Sequence, residues 1–139
     1  MKYAHLYNVR IYVTLNTILK DEELPETEKM IWDLYKVGVD ALIVQDMGLL
    51  SLNLPPLPLH ASTQMAVHNA EGVRWLKSLG FKRVVLAREL TLREIEEIAK
   101  KADFDFNEAD FFCAVVGAGS FTGIRIGVSA IKAMCFAFN

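Results

Sequence analysis

The chain has 139 residues, of which 53% are hydrophobic and 23% charged, with a formal net charge of −2. That size suits a single domain with a respectable core, and that composition excludes both a disordered tail and a membrane bundle. The small negative charge gives no general pull toward nucleic acid, so it does not support RNA as a partner; only a local basic patch would leave room for one.

Met1-Lys2-Tyr3-Ala4-His5 lacks the apolar centre of a signal peptide, and no run reaches the ~18 apolar residues of a membrane span. A cytoplasmic location without membrane partners is the expectation. The two cysteines, Cys113 and Cys135, both lie in apolar stretches and are expected to be buried thiols in a reducing compartment. They supply half of the four thiolates that an iron–sulfur cluster normally takes. His5, His60 and His68 include no pair at zinc-ligand spacing. Neither a cofactor nor a metal is therefore expected.

In chain order, Val9 to Leu15 is rich in β-branched and aromatic residues and reads as a first strand. Asp21-Glu22-Glu23-Leu24-Pro25 opens a helix with acidic residues and proline in its first turn. That helix should run to Val37 with Ile31, Leu34 and Val37 buried, and Gly38 stopping it. Ala41-Leu42-Ile43-Val44 is a continuous apolar run, as expected of a parallel strand covered on both faces. A Leu- and Pro-rich connection leads to a short third strand, Leu59 to Thr63. A helix from Asn69 to Leu79 stops at Gly80, and Arg83 to Ala87 follows as a fourth strand. Thr91-Leu92-Arg93-Glu94 reads as a capping box, with Leu92, Ile95, Ile98 and Ala102 at helical spacing behind it. Phe111 to Val116 is the fifth strand candidate. The last helix carries Ile124, Val128, Ile131, Cys135 and Phe138 on one stripe, and it reaches Asn139 with no stop signal, as though cut short.

Leu34–Asp46 and Leu76–Arg88 share one pattern: a helix end, a stop glycine, then a strand. Helices alternating with apolar strands give right-handed parallel βαβ units, so the fold class is α/β with about five parallel strands. Five strands cannot close an eight-stranded barrel of ~250 residues. An open sheet or a partial TIM-like barrel is the physical consequence.

Functional groups in such folds gather where strands end at their C-terminal edge. That edge carries Asn16, Asp46, Ser62-Thr63-Gln64 and Arg88-Glu89, with His60 in the strand beside it, and makes a candidate pocket rim. The same residue types also cap helices and satisfy loop backbone, and Arg88-Glu89 could be a structural ion pair. No G-x-S-x-G elbow and no inferable Cys–His arrangement is present. Gly117 to Gly123 lies between a strand and a helix start, where backbone amides can cradle an anion; Gly117, Gly119, Ser120, Thr122, Gly123 and Arg125 are the candidate anion-binding residues. Its spacing fits neither the dinucleotide fingerprint nor a Walker-type loop, and a tight turn without a ligand explains it equally well.

The segments YAHLYNVRIYVTLNTILKDEEL, GVDALIVQDMGLL, LHASTQMAVHNAEG and GFKRVVLARELTLREIEEI resemble the collagenase-like peptidase family, in order and spacing, from Tyr3 to about Ala102. The resemblance implies a TIM-like barrel, of which residues 1–106 would be a partial segment. It also implies a peptide or an RNA base as substrate: despite the peptidase name, members are implicated in oxygen-independent hydroxylation of RNA bases or of a quinone precursor, with cysteine-bound iron–sulfur clusters. The family's opening βα units and its cysteine-bearing continuation after Ala102 have no counterpart here. The expectation is a truncated member without independent catalysis, its catalytic residues unknown.

Residues 107–139, in contrast, resemble the dimerisation subunit of bacterial tRNA threonylcarbamoyladenosine synthesis through ADFFCAVVGAGSFTGIRIGVSAIKAMCFAF, where that family typically has proline in place of Ala118. This implies a final βα unit of actin-like origin, packed into the same domain, and a chain that is a chimera of two fragments. A partner- or phosphate-binding module acting through the glycine-rich turn is then a second functional expectation. A folded chimera with no evolved function is a third. Unpaired sheet edges and the apolar last helix lead us to expect a homodimer, or a protein partner on that helix; the alternative is a monomeric sheet covered on both faces.

Overall fold

The computed structural model describes residues 1–114 and 120–138. Its contacts divide into two compact units, residues 1–98 and 99–139, the division falling inside a helix.

The first unit is built on four parallel strands in the order β1-β2-β3-β4: Tyr12–Leu15, Ala41–Val44, Leu59–Ala61 and Arg83–Val84. A short helix α1 (Lys2–Leu6) precedes β1. Parallel neighbours require a crossover, and α2 (Leu24–Lys36) and α3 (Ala70–Ser78) supply two of the three. Both stop in the same way. Gly38 (φ 85°) and Gly80 (φ 93°) take the left-handed conformation that only glycine adopts cheaply. The residues after them then reach back, Val39 N–H to the Leu34 carbonyl and Phe81 N–H to the Leu76 carbonyl, at 3.2 and 3.1 Å. These are Schellman closures, and Val39 and Phe81, both buried, are their apolar locks. The repeated pattern in the sequence is thus a repeated helix-stop device.

The β2–β3 crossover contains no α-helix. A 3-10 turn, Met47–Ser51, and a leucine-rich run take its place. Leu49 is buried, and Leu50, Leu52, Leu54 and Leu57 pack half-buried against the core.

Alternation along the strands separates two faces. Val13, Leu15, Leu42, Val44, Leu59, Ala61, Val84 and Leu86 all belong to or pack against the core cluster with Ile31 and Leu76. The register sets Tyr12 opposite Ala41, Ile43 opposite His60, and His60 opposite Arg83, so these residues share the other face. That face is polar and aromatic. The expectation that β2 is covered on both sides therefore holds for Ala41, Leu42 and Val44 but not for Ile43, which is half-buried.

Several elements are shorter than expected. Val9, Arg10 and Ile11 precede β1, because the Ile11 amide bonds to the Asp40 carboxylate. β3 ends at Ala61, because Ser62 turns to cap a 3-10 turn, Thr63–Met65. β4 ends at Val84, and Val85 is 38% exposed on the edge strand. Thr91 and Glu94 form the expected capping box for α4 (Leu92–Lys101), with Thr91 N–H donating to Glu94 at 2.8 Å and Glu94 N–H to Thr91 Oγ1 at 3.3 Å.

The second unit begins in the last turn of α4 and contains a 3-10 turn, Phe106–Glu108, and helix α5 (Phe121–Ala137). Phe106 is its hub, with ring centroids 5.6, 6.1 and 5.3 Å from Phe104, Phe112 and Phe138. Ile124, Val128, Ile131 and Cys135 form the half-buried stripe of α5. The expected fifth strand is not seen over Phe111 to Ala114, and its last two positions, Val115 and Val116, lie outside the described residues. Without a ladder to cover it, Cys113 is exposed, and Cys135 is half-buried; neither is the enclosed thiol that its apolar neighbours suggested. Among the described residues, no helix is long and apolar enough to cross a membrane.

Candidate functional site

The C-terminal rim of the sheet is assembled from the loops that follow its four strands. After β1 comes Asn16, half-buried. After β2, Asp46 uses both carboxylate oxygens on backbone: Oδ2 accepts the Leu19 amide at 2.8 Å and Oδ1 the Gly48 amide at 2.7 Å. After β3, Ser62 is 2% exposed. Its amide donates to the Val44 carbonyl at 2.9 Å and its Oγ accepts the Gln64 amide at 3.2 Å. Asp46 and Ser62 therefore shape the rim. Thr63 is half-buried, while Gln64, Arg88 and Glu89 are exposed. Among the described residues no ion pair joins Arg88 to Glu89.

His60 lies inside the sheet, 6% exposed. Its ring meets Tyr12 edge-on at 4.8 Å and 81°, and the Arg83 guanidinium lies 5.4 Å over the same Tyr12 ring. Burial, and then the Arg83 charge, push the His60 pKa below its ordinary value. Tyr12, His60 and Arg83 form one aromatic–cation cluster on the face opposite the core cluster.

A cavity of about 180 Å³ opens beside the β3–α3 loop, its lining including Met65, Val67, His68, Asn69, Gly72 and Trp75. A Cβ at Gly72 would stand 3.2 Å from Val67 Cγ1, closer than the packing allows without a shift. The Ala87 amide donates to the Val67 carbonyl at 2.8 Å, tying this loop to the chain beyond β4. Sequence reasoning named Gln64 but missed the cavity. Nothing in the residue spacing signals it.

At the glycine-rich segment, Gly117 and Gly119 lie outside the described residues. Ser120 caps α5, its Oγ accepting the Gly123 amide at 3.1 Å. Arg125 lies 5.4 Å over the Phe121 ring, and Thr122 is exposed. The hydroxyl of Ser120 thus already occupies one of the helix-start amides an anion would need.

Residues 1–120 match peptidase family U32 along their whole length. The chain belongs to peptidase family U32. Among curated U32-like relatives, it is 52% identical over 101 residues to the 23S rRNA 5-hydroxycytidine synthase of Escherichia coli, covering 73% of this chain and 16% of that protein. It is 37% identical over 106 residues to an uncharacterized protease of Methanocaldococcus jannaschii, covering 76% and 26% of the two chains. It is 36% identical over 98 residues to tRNA hydroxylation protein P of Escherichia coli, covering 68% and 22%. The chain thus spans about a quarter or less of the length of these relatives. No solved structure matches it.

The iron–sulfur clusters implied for U32-type hydroxylating proteins do not fit the donors of this chain. Its two cysteines are one exposed and one half-buried, against the four thiolates a cluster takes. Among the described residues, no three His, Cys, Asp or Glu side chains converge as a metal site.

Proposed function

We propose that this chain acts in modification of an RNA base, contributing the strand-end rim that faces the substrate and not a complete catalytic apparatus. The observation that carries the reading is the 52% identity over 101 residues to a 23S rRNA hydroxycytidine synthase. The geometry agrees with a binding role. Asp46 and Ser62 spend their polar atoms on loop backbone, leaving exposed Gln64 and Arg88 as the rim groups offered to a ligand. A peptide-cleaving role finds less support: the Ser62 hydroxyl accepts a backbone amide and is 2% exposed, a poor placement for a nucleophile. The test is fluorescence anisotropy of a labelled, cytidine-containing single-stranded RNA, beside a labelled gelatin peptide. Saturable RNA binding that weakens with salt, without peptide cleavage, is expected. Peptide hydrolysis, or no RNA binding, overturns it.

A second reading concerns α5, favoured by its position: it starts at Phe121, one residue beyond the end of the family match at residue 120. We read α5 as an appended, partner-binding helix of the dimerisation-subunit type. Phe121, Ile126 and Phe136, 75%, 65% and 90% exposed, support this. A homodimer is expected by light scattering, and a monomer mass holding into the hundred-micromolar range would sink it.

A further inference from the structure

We propose that the cavity beside the β3–α3 loop is a stacking site for a nucleobase whose edge presents a donor next to an acceptor, as cytosine does. The inference rests on the RNA-base reading above and names where the base would be held.

Three observations carry it. The lining is mainly apolar, from Met65, Val67 and Leu76, and its one large flat side chain, Trp75, is 55% exposed and therefore has ring surface to give. An indole face beside a cavity of about 180 Å³ suits a planar ring. The second observation concerns His68. Its Nδ1 lies 2.8 Å from the Ala66 carbonyl, which can only accept, so Nδ1 carries the hydrogen. In the neutral ring, Nε2 is then left as an acceptor. The third concerns Asn69, whose Oδ1 accepts the Gly72 amide at 2.8 Å as the α3 cap. That bond fixes which end of the amide is oxygen and leaves Nδ2 as a donor. One acceptor and one donor, on consecutive residues lining the same cavity, complement a base edge that carries one of each.

The backbone that presents them is held in a costly conformation. Ala66 has φ 51° and ψ 39°, a left-handed geometry unfavourable for a residue with a Cβ. Its carbonyl is the one that orients His68.

The experiment uses the full chain carrying Trp32→Phe, which leaves Trp75 as the single tryptophan. Cytidine is titrated while Trp75 fluorescence is followed, with ribose as the control. Saturable quenching by cytidine and none by ribose is expected. Asn69→Asp keeps a capping oxygen for α3 but replaces the donor with an acceptor. It should weaken cytidine about tenfold at unchanged melting temperature, the scale of a lost base-edge contact. His68→Ala, at an exposed position, should do the same. Linear quenching, or an affinity in both variants as high as that of the parent chain, overturns the proposal. Anisotropy of the RNA oligonucleotide is measured on the same samples. RNA binding that persists without any cytidine response removes the pocket and leaves the RNA reading standing, whereas loss of both removes both.

Discussion

Leu19 and Asp46, in the loops that follow β1 and β2, are joined by a 2.8 Å hydrogen bond from the Leu19 amide to the Asp46 carboxylate. The second carboxylate oxygen accepts the Gly48 amide at 2.7 Å, so one side chain ties two rim loops together. A Cβ on Gly48 would stand 2.9 Å from Asp46 Oδ1, so the closeness of this turn depends on glycine. Asp46→Ala leaves two amides without their acceptor and should cost about 2–3 kcal/mol, at the upper end for bonds to a charged group. Urea denaturation measures it. Asp46→Asn, which keeps an acceptor, should cost less than half as much.

The pH dependence of stability near neutrality should come from His60. Its folded pKa lies below the unfolded value of 6.5, through burial first and Arg83 second. Below pH 6.5 the unfolded chain therefore binds a proton that the folded chain refuses, and stability falls with decreasing pH. His60→Gln should flatten the melting temperature between pH 7 and 5. A slope unchanged by the substitution would show that His60 takes its proton freely in the folded protein.

A separate acid limb should come from Asp40, whose Oδ2 accepts the Ile11 amide at 2.7 Å and meets His5 Nε2 at 2.9 Å. The Ile11 bond first and the His5 contact second hold its pKa below 3.8. This stabilisation is present above the unfolded pKa and lost as pH falls through the folded one. Asp40→Asn should lower the melting temperature at pH 6, and the gap to wild type should narrow as pH falls below 3.8. A gap that is constant with pH would assign the loss to packing instead.

Core truncations should separate the two faces of the sheet. Leu42→Ala and Leu76→Ala, at positions 0% and 1% exposed, should each cost about 2–5 kcal/mol through lost transfer and an unfilled cavity. Val85→Ala, 38% exposed, should stay within about 1 kcal/mol despite its place in an apolar run. Equal losses at Leu42 and Val85 would mean that Val85 is packed as tightly as the core.

Local chemistry was legible in the amino-acid sequence. The stops at Gly38 and Gly80, the Thr91–Glu94 box, the Asn69 cap and the parallel βαβ order follow from short-range bonds and hydrophobic spacing, which neighbours in the chain decide among themselves. So was the family, because its matching segments lie in order along the chain. The tertiary structure decided what depends on a partner segment. A strand is only as long as the ladder beside it, so β4 stopped at Val84. Burial depends on what packs above, so Val85 and Cys113, both in apolar runs, came out exposed. The rim carboxylate of Asp46 became a loop tie because Leu19 arrived within hydrogen-bonding distance of it. The cavity at Trp75 exists because a helix, a loop and a missing Cβ at Gly72 meet there, a coincidence of three-dimensional positions with no counterpart in residue spacing.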